Sequence, residues 1–200
     1  MNLFESVHDR YMRIWRMRIL SEHLAALIPK DAVVLDVGCG DGQLSFLISR
    51  KRPDLHFKGV DVLVRDQTYI PVEEFAGQVI PYDDASFDVI MFADVLHHTE
   101  DPMILLSEAV RVVRSAIVVK DHTNDGIFAE ATLRFMDWVG NARFGVVLPY
   151  NYWSKQNWLD AFRRLNLAIE VWKKDLRLYP RPASWIFGRS LHFVAKLKLS

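Results

Sequence analysis

Three sets of residues in this 200-residue chain have types and spacings that could do chemistry. The first is Val33-Val34-Leu35-Asp36-Val37-Gly38-Cys39-Gly40-Asp41-Gly42, an apolar run that ends in an acid and then in glycines at alternate positions. Glycine has no Cβ and tolerates positive φ, so such a turn lets a ligand lie against bare backbone. The second is Asp61, about twenty residues further on, where a carboxylate at a strand end can accept both hydroxyls of a ribose, with Val62 beside it to lie on an adenine face. The third is a pair of histidine-bearing stretches, Asp94-Val95-Leu96-His97-His98 and Lys120-Asp121-His122. An Asp-His pair can hold an imidazole ready to take a proton, which makes His97, His98, Asp121 and His122 the candidates for a general base. Together these residues predict a site for a nucleoside-bearing cofactor with proton-accepting groups nearby.

Residues so far apart need elements to bring them together. Ala32–Val37 is apolar throughout, as a strand buried on both faces should be. Gln43–Arg50 reads as a helix, Phe57–Val62 as a second strand, Gln78–Ile80 as a short third and Phe87–Ala93 as a fourth. Pro102–Val113 reads as a helix with Asp101 as cap and Pro102 at the first position, and Ala116–Val119 as a fifth strand. Ahead of these, residues 2–28 form one helical pattern that Pro29 stops. Beyond them come a helix near Ser154–Leu165 and closing strands at Ala168–Leu178 and His192–Leu197. The alternation predicts a doubly wound, mostly parallel α/β sheet. No helix separates the last two strands, which predicts an antiparallel final strand. In such a sheet ligands sit at the carboxyl ends of the strands near the topological switch point, where all three sets converge.

Composition narrows the functional classes. Lys+Arg and Asp+Glu balance at 25 each, so no global charge argues for nucleic acid. The single cysteine, Cys39, excludes an internal disulfide and a CxxC metal site. A reducing, cytoplasmic setting fits. No apolar run is long enough to cross a bilayer, and Arg10, Arg13, Arg16 and Arg18 interrupt any signal-peptide profile. No His/Cys/carboxylate set shows metal-ligand spacing along the chain, so no metal is expected. Cys39 itself reads as a small residue between two glycines rather than as a covalent nucleophile.

Two cofactor classes fit a glycine turn. The nicotinamide dinucleotide fingerprint GxGxxG would place its third glycine at position 43, where Gln43 stands. The other class is indicated by Ile80-Pro81-Tyr82-Asp83-Asp84-Ala85-Ser86-Phe87-Asp88, then Asp94–His98, then Glu108-Ala109-Val110-Arg111-Val112. Taken with Val34–Gly42, these stretches resemble the class I S-adenosylmethionine-dependent methyltransferases, specifically the type 11 group. The resemblance covers residues 32 to about 122. It implies a Rossmann-like, three-layer α/β/α domain with a seven-stranded sheet and a reversed last strand, and S-adenosylmethionine as cofactor.

The resemblance also assigns roles. Asp36 would hold the methionine amino group through the loop or water. Gly38, Cys39 and Gly40 would supply backbone beside methionine and ribose, Asp61 would bind the ribose hydroxyls and Val62 would pack on adenine. Ala93 and Asp94 would line the sulfonium side. The family commonly carries an acid at the position of Ala76, so adenine recognition here rests on backbone near Gln78 and Val79, or cofactor affinity is reduced.

Transfer of a sulfonium methyl group is an in-line displacement that needs alignment and exclusion of water, and a base only if the acceptor is protonated. The expected activity is therefore methyl transfer to a small-molecule acceptor. An idle module that binds the cofactor or its product to regulate a partner is the alternative, and a nicotinamide-dependent oxidoreductase is a more distant one. One domain is expected over residues 1–200, with 1–30 as a helical lid and 124–153 as an aromatic-rich insertion over the site. Phe4, Tyr11 and Trp15 in the first segment, and Phe128, Phe135, Trp138, Phe144, Tyr150, Tyr152 and Trp153 in the second, offer an aromatic or apolar acceptor pocket. Arg10, Arg13 and Arg16 of the first helix read first as a solvated face and, as the second reading, as groups that attract an acidic acceptor or a membrane surface.

Overall fold

A computed structural model of the chain describes residues 3–141, 150–181, 183–188 and 190–200. Its element order is α1 (Leu3–Leu27), β1 (Val33–Val37), α2 (Gln43–Lys51), β2 (His56–Asp61), β3 (Val72–Glu74), β4 (Phe87–Ala93), α3 (Pro102–Val112), β5 (Val113–His122), α4 (Ala129–Asn141), α5 (Lys155–Arg164), β6 (Leu167–Lys173), α6 (Ser184–Phe187) and β7 (His192–Leu199). A short 3-10 turn, Leu96–His98, follows β4.

The strands form one seven-stranded sheet in the order β3-β2-β1-β4-β5-β7-β6. Every neighbouring pair is parallel except those made by β7, which runs antiparallel to both β5 and β6. The chain winds outward from β1 through β2 to β3, then returns to β4 on the other side. This puts the switch point between β1 and β4.

Side chains alternate across the sheet with period two. Leu35, Val37, Ile90, Phe92, Ile117 and Val119 face one core, filled by Leu105, Leu106 and Ala109 of α3 and by Trp158 and Phe162 of α5. Val34, Val89, Met91, Ala116 and Val118 face the other, filled by Leu20 and Leu24 of α1 and by Ile48 of α2. Both faces are covered, which is why these strands read as unbroken apolar runs. The three layers expected from the sequence are present.

Local chemistry sets several boundaries. The Asp101 side chain accepts from Met103 N at 2.9 Å with Pro102 in the first turn of α3, and Ser154 caps α5. Asp88 Oδ2 accepts from Val33 N at 2.8 Å, tying the start of β4 to that of β1.

Three expectations are corrected. The third strand is Val72–Glu74, paired with Gly59–Asp61, and Gln78–Ile80 is not a strand. Gly77, at φ +80°, turns the chain away from the sheet edge. Ile80 is apolar because it is a buried anchor, and Val79 is 65% exposed. The fifth strand is much longer than Ala116–Val119, so Lys120, Asp121 and His122 are its last residues rather than a loop after it. Between β6 and β7 lies the one-turn helix α6, where no helix was expected; four residues are too short to give a periodic signal. Among the described residues, no helix is long and apolar enough to cross a membrane.

Candidate functional site

The β1–α2 turn is built on three left-handed glycines, Gly38 (φ +73°), Gly40 (φ +60°) and Gly42 (φ +75°). Gly38 is also crowded, since a Cβ there would lie 2.6 Å from Val95 Cγ2. The Asp61 carboxylate holds the turn from the end of β2. Its Oδ2 accepts from Gly40 N at 2.7 Å and its Oδ1 from Leu63 N at 3.0 Å. Behind the turn, Asp36 is 2% exposed, and its Oδ2 accepts from the Ser45 hydroxyl at 2.6 Å. Its Oδ1 is buried without a partner. Burial, with Asp61's charge adding to it, raises this carboxyl to about 7 despite the Ser45 hydrogen bond.

These elements border a cavity of about 510 Å³ at the switch point. Gly38, Gly40, Asp61, Val62, Gln78 and Asp94, all singled out from the sequence, line it, as does Ala76. Asp36 and Cys39 lie behind the lining. Burial raises the Cys39 thiol, the opposite of what a nucleophilic cysteine needs. Val79 points into solvent and Ala93 packs against the α1/α2 core, so neither borders the cavity.

A second cavity of about 210 Å³ adjoins the first, and Asp94 and His98 line both. Its other walls are His97 and His122, Arg16 from α1, Met136 and Asp137 from α4, and Tyr179. The four catalytic candidates therefore do converge, though not in the roles the sequence proposed for them. Asp121 is fully buried behind the wall. Its hydrogen bond to a ring goes to His97: its Oδ1 accepts from His97 Nδ1 at 2.7 Å and from the His122 main-chain N at 2.8 Å, while its Oδ2 accepts from Leu96 N at 3.1 Å. His97 Nε2 stands 3.3 Å from Asp137 Oδ2 but is not aligned to bond it. Burial alone would discharge His97, but Asp121 first and Asp137 second outweigh it and raise the ring to about 10.

His122 is the opposite case. Burial, then Lys120, push it well below the ordinary 6.5. Its Nδ1 has no hydrogen-bond partner, with Asp121 Oδ1 at 3.4 Å and Asp94 Oδ1 at 3.7 Å. His98 is also lowered, by burial and then by the charge on His97, and its Nδ1 is likewise buried and unpartnered. At neutral pH the cavity therefore presents two neutral imidazoles and one charged one.

Asp94 joins the two cavities. It adopts φ +61° at the end of β4 and receives two cations, Lys120 from β5 and Arg16 from α1, the latter at 2.5 Å. Together these cations hold its carboxyl well below the usual range against burial. Arg16 had been read as part of a solvated face, and Asp137 and Tyr179 gave no signal at all. Each arrives by long-range packing that no local pattern records; Arg16 and Asp94 are 78 residues apart. No spacing announced a metal-binding set either, yet the fold gathers two such sets, Asp94/His97/His122 and His97/His98/Asp137. Within each set the ligand atoms lie within 4.8 Å of one another.

The flanking segments contribute unevenly. Tyr152 donates its hydroxyl proton to Asp137 and stacks on His97 at 5.6 Å. Phe128, Phe135 and Trp138 are exposed, as is Tyr11 on α1. Phe144 and the neighbouring Ala142 and Arg143 lie outside the described residues, as do the side chains of Phe4 and Arg10.

Comparison with known proteins gives the family and the fold. Residues 8–171 match the family model described as a methyltransferase domain. The 27-O-demethylrifamycin SV methyltransferase of Amycolatopsis mediterranei is 31% identical over 110 residues, covering 48% of this chain and 40% of that protein. The O-methyltransferase aoiF of Aspergillus oryzae is 29% identical over 164 residues, covering 70% of this chain and 38% of that protein. The chain thus spans less than half the length of these relatives. Among solved structures, an S-adenosylmethionine-dependent methyltransferase from Mesorhizobium loti aligns with TM-score 0.65 at 18% identity, covering 88% of this chain and 96% of that one. The geranyl diphosphate C-methyltransferase of Streptomyces coelicolor aligns with TM-score 0.67 at 15% identity, covering 90% and 75%. At these identities the structures show a shared fold.

Proposed function

Since the chain belongs to the methyltransferase domain family, whose cofactor is S-adenosylmethionine, we propose that it moves the cofactor's methyl group to a hydroxyl of a small acceptor. The observation that carries this reading is the meeting of two cavities at Asp94 and His98. The larger, floored by the glycine turn and Asp61, takes the nucleoside and methionine. The smaller takes the acceptor's reacting end, so the methyl group sits at their junction. A third cavity of about 480 Å³ shares Tyr179 with the smaller one and gives room for the rest of an acceptor.

In this arrangement Asp61 would accept from the ribose hydroxyls through lone pairs that Gly40 N and Leu63 N leave open. The unpartnered Oδ1 of Asp36 would hold the ammonium end through the turn or a water. Gln78 would border the adenine end, and Val62 would pack on the ring. S-adenosylmethionine, held by the glycine turn, Asp61 and Asp36, would supply an electrophilic methyl group, its sulfur leaving with the electron pair as a thioether. His122 Nδ1, neutral and without a hydrogen-bond partner, would take the proton of the acceptor hydroxyl. A positioned base of this kind contributes typically 10²–10⁴-fold. His97, charged and clamped by Asp121, is a positioning residue. Two curated relatives carry names that specify O-methylation, which supports the choice of a hydroxyl.

Calorimetric titration of the full chain with S-adenosylmethionine, S-adenosylhomocysteine and NAD tests the reading. Binding of the first two with Asp61→Ala abolishing it is the expected result. NAD binding without either of the others, or an unchanged affinity in Asp61→Ala, would overturn it.

A further inference from the structure

We propose that His97, His98 and Asp137 form a binding site for one divalent transition-metal ion at the mouth of the acceptor cavity. The donor set is two imidazoles and one carboxylate, with ligand atoms within 4.8 Å of one another. That combination suits zinc, iron(II) or cobalt(II), since two imidazoles make it too soft for magnesium or calcium.

Three independent features support it. First, the imidazole nitrogens available to the ion have no hydrogen-bond partner although they are buried. His98 Nδ1 has no hydrogen-bond partner, and His97 Nε2 has only Asp137 Oδ2 at 3.3 Å, out of line for a hydrogen bond; native structures rarely carry such groups unexplained. Second, the outer contacts are those of a metal site. Asp121 accepts from His97 Nδ1 at 2.7 Å, which fixes the ring and leaves Nε2 to face inward. The Tyr152 hydroxyl donates to Asp137 and holds that carboxylate in turn. Third, the three donors occupy one wall of a cavity of about 210 Å³, leaving the remaining coordination positions open to a ligand.

The alternative set, Asp94/His97/His122, shares His97 but is disfavoured by charge. Arg16 and Lys120 already neutralise Asp94, and a second cation there would meet both. Asp137 stands 3.3 Å from His97 Nε2 and accepts from the Tyr152 hydroxyl. A bound ion takes the place of the proton on His97 Nε2, which is released to solvent on binding.

The ion's role rests on the methyl-transfer reading. It would hold the acceptor oxygen beside the sulfonium methyl and lower the pKa of the hydroxyl, so that the weakly basic His122 suffices to take the proton. Its binding does not depend on that reading.

Chelator-stripped full chain is titrated with Co²⁺ by visible absorption and with Zn²⁺ by calorimetry, and each sample with S-adenosylhomocysteine. One ion per chain is expected, with cobalt d–d bands, and with Zn²⁺ affinity at least about tenfold weaker in His98→Ala and in Asp137→Ala. The wild-type cobalt spectrum needs no variant and stands even if a variant fails to fold. Absence of the bands, or equal Zn²⁺ affinity in wild type and both variants, would overturn the site. S-adenosylhomocysteine binding without metal binding would overturn the metal alone, whereas metal binding without S-adenosylhomocysteine binding would uphold the site and remove the methyl-transfer reading.

Discussion

Asp121 Oδ1 accepts a hydrogen bond from His97 Nδ1 at 2.7 Å, and both side chains are almost completely buried. The same carboxylate takes the main-chain N–H groups of Leu96 and His122. One acid therefore fastens the end of β5 to the 3-10 turn after β4 and sets the ring that faces Asp137 on α4. Removing it leaves two buried N–H groups and a buried charged ring uncompensated. Asp121→Ala is expected to lower the unfolding free energy by about 3–5 kcal/mol. Asp121→Asn, which can still accept from Leu96 N, should lose less. Urea denaturation measures both, and an alanine variant within about 1 kcal/mol of wild type would show that the clamp is not structural.

Asp36 makes a prediction in pH. Its folded-state pKa of about 7 lies above the ordinary 3.8, so the folded protein holds the proton more tightly than the unfolded chain. The sign follows: stability is fully present below about 4, declines as pH rises from there to about 7, and is flat above. The full decline attributable to this one group is roughly 4 kcal/mol. Asp36→Asn should remove that slope, which chemical denaturation at pH 4.5, 6 and 8 would reveal by difference from wild type. A cationic ligand end near Oδ1 favours the ionised form, so S-adenosylmethionine should bind more tightly as pH rises through 7. An affinity equal at pH 6 and pH 8 would detach Asp36 from the cofactor.

How much of this was legible in the sequence follows the range of the interactions. The glycine turn, Asp61 after β2, and the Asp101-Pro102 cap are set by neighbours a few residues away, and each was read from local pattern. The sheet topology followed from the order of elements. The third strand was misplaced because Gln78-Val79-Ile80 and Val72–Glu74 are both short, and a run of three residues carries no reliable period. The acceptor wall was half visible. His97, His98 and His122 stood out by type, but Arg16, Asp137 and Tyr179 did not, because they come from separate elements brought in by packing. The sequence paired Asp121 with its neighbour His122 alone. The carboxylate stands 3.4 Å from His122 Nδ1 but bonds His97 Nδ1 at 2.7 Å, a partner that only the packing of the turn after β4 supplies.

Gly38 and Gly40 should respond differently to the same substitution. Both have positive φ, so alanine at either costs about 1–2 kcal/mol of backbone strain. At Gly40 the added Cβ meets nothing within 4 Å. At Gly38 it would lie 2.6 and 2.7 Å from the two Val95 methyls, adding an overpacking cost of about 1–3 kcal/mol or displacing the loop after β4. Gly38→Ala should therefore be the less stable variant in thermal melts, and should lose more of its S-adenosylhomocysteine affinity. Equal melting temperatures would mean that Val95 gives way freely.

The Glu108–Arg111 pair of α3 explains why an acid and an arginine three residues apart accompany the Ile80–Asp88 stretch. Arg111 Nη2 donates to Ile80 O at 2.9 Å and Nη1 to Tyr82 O at 2.8 Å, while Nε and Nη2 grip Glu108 at 2.9 and 2.6 Å. Glu108 in turn accepts from Ile80 N at 2.9 Å. The pair thus holds both main-chain polar groups of Ile80, which stands two residues beyond the Ala76–Gln78 wall of the larger cavity. Lysine cannot reproduce the fork, so Arg111→Lys should free this wall and weaken S-adenosylhomocysteine binding by about five- to tenfold, the scale of one or two lost hydrogen bonds. The Arg111 hydrogen bond also holds the Glu108 carboxyl below its ordinary 4.5, so its stabilisation is present above about 4.5 and is lost as pH falls. The wild type should lose S-adenosylhomocysteine affinity in this acid range, and Glu108→Gln, which has no charge to lose, should show a flatter profile. A tight-binding Arg111→Lys variant would place the anchoring of the wall in the Ile80 side chain alone.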